Sequence, residues 1–471
     1  MDKLTDIIEP VSEPLPMEKA VSALQKMVAR HSAATGSISE KHLHTFSIHV
    51  AAIDSLLWLH DQDIYPRFFW SNRERNDLVA GIGLADVIEY DKTGPNSLSF
   101  DILQQEISKK DPDARYFGGF CFNNEQQQDN QWLPFKSFTF VLPAVQLTVK
   151  DGLYTLSCNL MLEPGENTAG QYNRLLAAME KLSTSAPVNN VRLPEIKSLS
   201  FSPDQKQWME TCDLVLERFR EGLMGKIILA RQTLLEFDYH FSPFLFLLRD
   251  PFPESSTYRY YFEPEKDMAF FSFTPERLYR RDNDQLWTEA LAGTCSRETI
   301  SDGDEDACKQ LLNSEKDIRE HKFVRDTIAN GLKPICNEID MEERVRVLQF
   351  NRLVHLYTQC RATLKPGANN DASVLETLHP TPAVGGVPRT EALEQIIDLE
   401  PFSRGWYAGP VGWISRNSAE FAVGIRSAVA TGNSVYLYSG AGLVKGSDPA
   451  SEWKEVDQKI ADILAITRQK V

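Results

Sequence analysis

Positive charge is in short supply in this chain: 50 lysines and arginines stand against 66 aspartates and glutamates, a formal net charge of -16. That deficit argues against general binding to nucleic acid or to an anionic membrane surface. It leaves room for an anionic small molecule, because a pocket can be locally positive. Paired cysteines are missing too. The seven cysteines (Cys121, Cys158, Cys212, Cys295, Cys308, Cys336 and Cys360) are scattered, odd in number and never spaced C-x-x-C. Free thiols in a reducing compartment fit that pattern better than a disulfide frame or a zinc site. No apolar run approaches the ~20 residues of a membrane span; the longest candidate, Phe244 to Leu248, is cut by Arg249. The start, Met1-Asp2-Lys3-Leu4, has neither the basic nor the apolar region of a leader. The expected location is therefore cytoplasmic, or an organelle interior if a transit sequence has been removed. There is no internal repeat at solenoid or propeller periods.

What is present reads as strands in clusters with long helices inserted. Helices are expected at 17–31, 171–182 and 203–221, and over much of 313–360. Strands are expected at 46–50, 65–70, 117–122, 138–149, 153–161, 226–239, 257–262, 268–274 and 277–281. Two more, 422–430 and 434–440, flank the hairpin signal Gly432-Asn433. This order favours antiparallel α+β over a doubly wound α/β fold. Ser183 to Asn190 is the best linker, which separates a β-rich region, 1–195, from a second region, 196–471.

The run Ser439 to Lys459 (S-G-A-G-L-V-K-G-S-D-P-A-S-E-W-K-E-V-D-Q-K) carries the most chemistry. Gly440 and Gly442 permit close backbone approach to a ligand. Asp448 suits an N-cap and Pro449 a first helical position. Glu452, Glu455 and Lys459 then share one helix face. Carboxylates there could hold a hard cation, or could be ordinary surface Glu–Lys pairs. A second acidic helix start, Ser314 to His321, puts Asp317, Glu320 and His321 on one side. Two such pairs, with no soft ligand cluster, suggest Mg²⁺. Lys226 opens the strand K-I-I-L-A-R, where a desolvated lysine could be a base or merely snorkel. Glu276, in T-P-E-R-L beside Phe271, Phe273 and Leu278, could be an acid or pair with Arg277 at the surface. Arg426 is expected on a strand face with Gly424, Ala428 and Ala430, where space exists to clamp a carboxylate. His355 is expected within an apolar helix, as a core histidine.

These segments form an ordered series. K-I-I-L-A-R, T-P-E-R-L, L-A-G-T, S-E-K-D-I-R-E-H, H-P-T-P-A-V-G-G-V-P, G-W-Y-A-G-P-V-G-W and S-G-A-G-L-V-K-G-S-D-P-A-S-E-W follow one another between about residues 200 and 467. The series resembles the chorismate-utilising enzymes, which include isochorismate, salicylate, anthranilate and aminodeoxychorismate synthases. Y-P-R-F-F-W and F-G-G-F look like the family's weaker N-terminal motifs. The resemblance is closest to the isochorismate synthases. Lys226 stands where they have a water-activating lysine, and Ala383 stands where aminating and salicylate-forming members usually have threonine.

The resemblance implies the anthranilate synthase component I fold, two large mainly antiparallel sheets with helices outside, the two portions intertwined. It implies a Mg²⁺-dependent isomerase that turns chorismate into isochorismate for menaquinone, siderophore or salicylate formation. Lys226 would deprotonate water for attack at C2, and Glu276 would protonate the departing C4 hydroxyl. Glu320 and Glu455 would hold Mg²⁺, with Glu452 and Asp317 as nearby partners. Arg426 and Tyr407, aided by Lys459, would grip the enolpyruvyl carboxylate. Gly293, Thr294 and Gly440 would make close contact with substrate, and His355 and Ala383 would line the C4 side. No glutaminase subunit is expected, and the chain would be a monomer or homodimer. A salicylate synthase is the nearest alternative and an aminating synthase the next; a non-catalytic chorismate-binding paralogue would be expected to lack one of Lys226, Glu276, Glu320 and Glu455. Two departures from the family pattern are Ser272-Phe273 in place of glycine and a small residue, and Cys295 where arginine is common.

Overall fold

The structure, a computed structural model, describes residues 7–8, 13–36, 38–184, 193–222, 224–250, 257–296, 304–349 and 353–468. The linker expected at 183–190 falls mostly outside the described residues, as does the boundary's near flank.

Two sheets carry the fold. Among the described residues one has thirteen strands. Its path begins in the N-terminal third with Ile7–Ile8, His42–His49, Leu153–Leu162, Val145–Lys150, Asp77–Ile82 and Arg67–Ser71. It continues without a break through Arg259–Glu265, Met268–Ser272, Ser427–Thr431, Ser434–Val444, Lys226–Phe237 and Ile196–Ser202. Gly386–Val387 pairs onto the start of Lys226–Phe237. The second sheet has ten strands and runs from Cys336–Met341 through Leu353–Leu364, Gln285–Ser296, Arg277–Asp282, Ser418–Val423 and Pro410–Ile414. It ends on three N-terminal strands, Tyr116–Phe120, Phe138–Leu142 and Asp86–Tyr90. Both sheets therefore join the two portions of the chain by continuous antiparallel pairing, with Trp70 opposite Tyr260 in one and Gly118 opposite Gly412 in the other.

Alternation along the strands decides what each face buries. Phe68, Trp70 and Phe270 point into the core shared with the second sheet, where Phe68 stacks on Phe117 at 4.4 Å between ring centroids. Their neighbours Phe69 and Phe271 point the other way, into a core closed by the helices Met17–Ala34 and Thr168–Met179. The helix Pro449–Arg468 adds Ile460, Ile463 and Ile466 to that second core. No helix among the described residues is long and apolar enough to cross a membrane, and the six described cysteines are free.

Three expectations need correcting. His355 lies on a strand, Leu353–Leu364, and the helix expected across this region stops at Leu332. Residues Val354, Leu356, Thr358, Cys360, Ala362 and Leu364 are buried in a period of two, which is the strand signature. The stretch 138–149 is two strands in different sheets, Phe138–Leu142 and Val145–Lys150, broken at Pro143. Likewise 422–430 is broken: Ser418–Val423 belongs to the second sheet and Ser427–Thr431 to the first. Arg426 therefore lies in a crossing between sheets, not on a strand, and its φ is +47°. A hairpin turn at Asp151-Gly152, with φ of +49° and +82°, joins Val145–Lys150 to Leu153–Leu162.

Candidate active site

The chain crosses between sheets twice at neighbouring places. Residues 273–276 lead from Met268–Ser272 to Arg277–Asp282, and residues 424–426 lead back from Ser418–Val423 to Ser427–Thr431. The crossings are tied together. The Val423 N–H donates to the Glu276 carbonyl at 3.0 Å, and the Phe273 N–H to the Arg426 carbonyl at 3.1 Å. The Ser272 hydroxyl donates to the Ile425 carbonyl at 2.6 Å. Ser272 thus has a structural task, and Phe273 packs away from the site in the helix-covered core.

Glu276 and Arg426 come off these crossings into one cavity of about 250 Å³. Of the residues expected at the site, Gly293, His355, Ala383, Tyr407, Gly440, Lys459, Asp317, Glu320, Glu452 and Glu455 also line it. Lys226 lies at its margin: its buried amine donates to Glu320 Oε1 at 2.8 Å. Thr294 is on the strand Gln285–Ser296, but its side chain, like that of Cys295, is outside the described residues.

Burial raises the Glu276 carboxyl from an ordinary 4.5 to about 8, with the nearby Glu289 carboxylate adding to the rise. The Thr381 hydroxyl, which donates to Glu276 Oε1 at 3.2 Å, and the Lys226 and Arg73 cations oppose it. The group is thus a neutral acid at pH 7, and the Lys226 charge is close enough to act on it. Burial lowers Arg426 to about 10, opposed by Asp462. Burial, then the Arg426 and Lys459 charges, hold His355 well below its ordinary value, so its ring is neutral. Its Nε2 lies 3.2 Å from Arg426 Nη2. A guanidinium only donates, so Nε2 is the acceptor.

Two glycines make room. Gly293 has φ +79° at a register shift in its strand, a conformation strained for any side chain. A Cβ on Gly440 would stand 3.0 Å from both the Tyr407 hydroxyl and the Ile228 side chain. Tyr407 stacks on Tyr438 with centroids 5.3 Å apart, which fixes its ring.

The carboxylates arrive from two helices. Ser314 caps Glu315–Leu332 by accepting the Asp317 N–H, and Asp448 caps Pro449–Arg468 by accepting the Ser451 N–H at 2.9 Å. Lys459 bridges Glu455 Oε1 and the Gly440 carbonyl, each at 2.8 Å. Among the described residues no three His, Cys, Asp or Glu groups can by themselves enclose a metal. The donors facing the cavity are oxygens apart from His355, whose Nε2 Arg426 occupies. That set fits Mg²⁺, which takes one or two carboxylates and completes its shell with water and substrate oxygens.

Thr381, Ile228, Leu291, Val384, Ile425 and Tyr438 belong to the site without having been singled out beforehand. Thr381 precedes Ala383 in a quoted motif, so its place was within reach of the sequence.

A family model described as chorismate binding enzyme matches residues 26–468. The chain belongs to the chorismate-binding enzymes. Among relatives of this chorismate-binding enzyme, isochorismate synthase MenF of Bacillus subtilis is 29% identical over 418 residues, 85% of this chain and 87% of that protein. The solved structure of MenF, the menaquinone-specific isochorismate synthase from Escherichia coli, matches with a TM-score of 0.84 at 27% identity, covering 95% of this chain and all of that one. Anthranilate synthase component I from Streptococcus pneumoniae shares the fold, with a TM-score of 0.63 at 18% identity over 91% of this chain and 93% of that one. The two-sheet fold is thus the expected anthranilate synthase component I type.

Proposed function

We propose that this chorismate-binding enzyme is an isochorismate synthase. The observation that carries the reading is a protonated carboxyl in the cavity, Glu276 raised to about 8, with an amine at the cavity's margin, Lys226 buried beside the lining residue Glu320. The names of the Bacillus subtilis and Escherichia coli relatives support it.

The chemistry needs both groups. Water is a poor nucleophile and hydroxide a poor leaving group. Lys226, in its neutral form, takes a proton from water as it adds at C2 of chorismate. Glu276 gives its proton to the C4 hydroxyl, which leaves as water while the ring's double bonds shift between the two carbons. One water enters and one leaves, so the net change is isomerisation. Each proton transfer contributes roughly 10²–10⁴-fold.

A dianion entering a dry pocket needs countercharge. Arg426, steadied by neutral His355, offers its donors to the enolpyruvyl carboxylate together with Tyr407 and Lys459. Gly440 lets the backbone close on the ring, and Gly293 and Thr294 border it. Glu320 and Glu455, with Glu452 beside them, would hold Mg²⁺, which supplies positive charge to the ring carboxylate when bound. Ala383 leaves open space where a hydroxyl would otherwise project.

The deciding experiment is incubation with chorismate and Mg²⁺ followed by product separation. Isochorismate alone is expected. Salicylate with pyruvate would replace this reading by a salicylate synthase, and anthranilate on adding ammonium by an aminating one. Lys226→Ala should lower kcat by about 10²-fold or more with the fold retained; near-normal turnover would remove Lys226 as the base.

A further inference from the structure

Arg73 follows the strand Arg67–Ser71, in the N-terminal third, and is buried. Its Nη1 donates to the Pro275 carbonyl at 2.9 Å and to Glu289 Oε1 at 2.8 Å, and its Nη2 to Glu289 Oε2 at 2.7 Å. Glu289 Oε1 also accepts the Arg277 backbone N–H at 2.9 Å. One ion pair therefore holds the carbonyl before Glu276 and the N–H after it. The peptide groups of Glu276 itself are engaged as well, its N–H by the Thr274 hydroxyl at 3.2 Å and its carbonyl by Val423. A bidentate arginine–carboxylate pair in a buried setting is geometrically stiff.

The charged groups acting on the Glu276 carboxyl are Glu289 from Gln285–Ser296, Lys226 from Lys226–Phe237, and Arg73. Behind the pair, Arg277 donates to the Tyr258 hydroxyl at 2.6 Å and to Glu420 at 3.1 Å. Neither Arg73 nor Glu289 lines the substrate cavity among the described residues.

We propose that Arg73 and Glu289 are positioning residues for Glu276: they clamp the peptide units on either side of it, and Glu289 supplies the anionic field behind its carboxyl. The proposal rests on Glu276 being the proton donor. It gives the N-terminal third a part in the chemistry through a contact made from outside the cavity.

The test is the pH profile of kcat for chorismate conversion by the full-length enzyme and its Glu289→Gln, Arg73→Lys and Glu276→Gln variants. Glu289→Gln removes the anion and leaves Arg73 unpaired, and both changes favour ionised Glu276. The alkaline limb should therefore fall by about one pH unit or more. Arg73→Lys keeps the charge but cannot form the fork. It should lower kcat about 10-fold or more with the limb unmoved and KM little changed. A limb that stays put in Glu289→Gln, or an Arg73→Lys enzyme with unchanged kcat, overturns the proposal, since a merely structural pair would alter stability alone. Wild-type turnover by Glu276→Gln would instead overturn the assignment of the acid. If Glu289→Gln does not fold, Glu289→Asp withdraws the charge by one methylene. The infrared carboxyl band of Glu276, identified by its loss in Glu276→Gln, should then titrate at lower pH than in wild type, and unchanged titration is the overturning result.

Discussion

As the proposed acid, Glu276 sets activity against stability. Its folded-state value of about 8 lies above its ordinary value of 4.5. Between those two pH values the unfolded chain gives up a proton that the folded chain retains, so ionisation favours unfolding. The penalty grows from about pH 4.5 to about pH 8 and is constant above, on the order of a few kcal/mol. Glu276→Gln keeps an acceptor for Thr381 and cannot ionise. The variant should be inactive yet more resistant to urea than wild type at pH 8, with the gap closing towards pH 4.5. Equal urea midpoints at both pH values would contradict the raised carboxyl. Lys226, Glu276, Glu320, Arg426 and Glu455 were legible because motif order carries residues one at a time. Arg73 was not. Its partners are 202 and 216 positions away in the chain, and nothing local in W-S-N-R distinguishes a buried clamp from a surface arginine.

Among the elements, the helix Pro449–Arg468 is braced by a buried guanidinium in addition to its apolar packing. The Arg231 guanidinium lies over the rings of both Phe201 and Trp453, 4.6 and 4.2 Å from their centroids, and donates to Asp457 at 2.6 Å. Trp453 stands between Glu452 and Glu455 in sequence, so these contacts help to orient the acidic face of the helix towards the cavity. With Mg²⁺ held as proposed, Arg231→Gln should weaken its binding by about 10-fold or more, measured by calorimetric titration, since supporting contacts of metal ligands typically matter by that much. Unchanged affinity would mean that the helix is aligned without it. The helix was readable beforehand from its cap and its i, i+3, i+7 pattern. The strand bearing His355 was not, although its alternation was present, because a run such as L-V-H-L also suits an apolar helix. The two broken strands, at Pro143 and at Gly424 to Arg426, were missed for another reason: hydrophobic character continues across the break while the chain changes sheets.

For the whole molecule, the expected division near residue 195 does not separate the sheets. Each contains strands from both sides of it, and the interior pairs Trp70–Tyr260 and Gly118–Gly412 span it. Residues 196–471 expressed alone would expose long unpaired edges in both sheets, a condition that favours aggregation. That fragment should be insoluble or show no cooperative thermal transition; a soluble, cooperatively folding fragment would make the catalytic portion autonomous. The sequence motifs cluster in that portion, whereas its folding partners are spread over the rest, with alternation as their main signal.

The paired crossings give the protein something like a caliper. Hydrogen bonds from Val423 and Phe273 fasten the segment bearing Glu276 to the one bearing Arg426, so the gap between the proposed proton donor and the proposed anion grip is fixed by backbone rather than by side-chain choice. A ligand with its leaving group and its outer carboxylate at another separation would meet two jaws unable to adjust independently, and its rejection would need no dedicated residue.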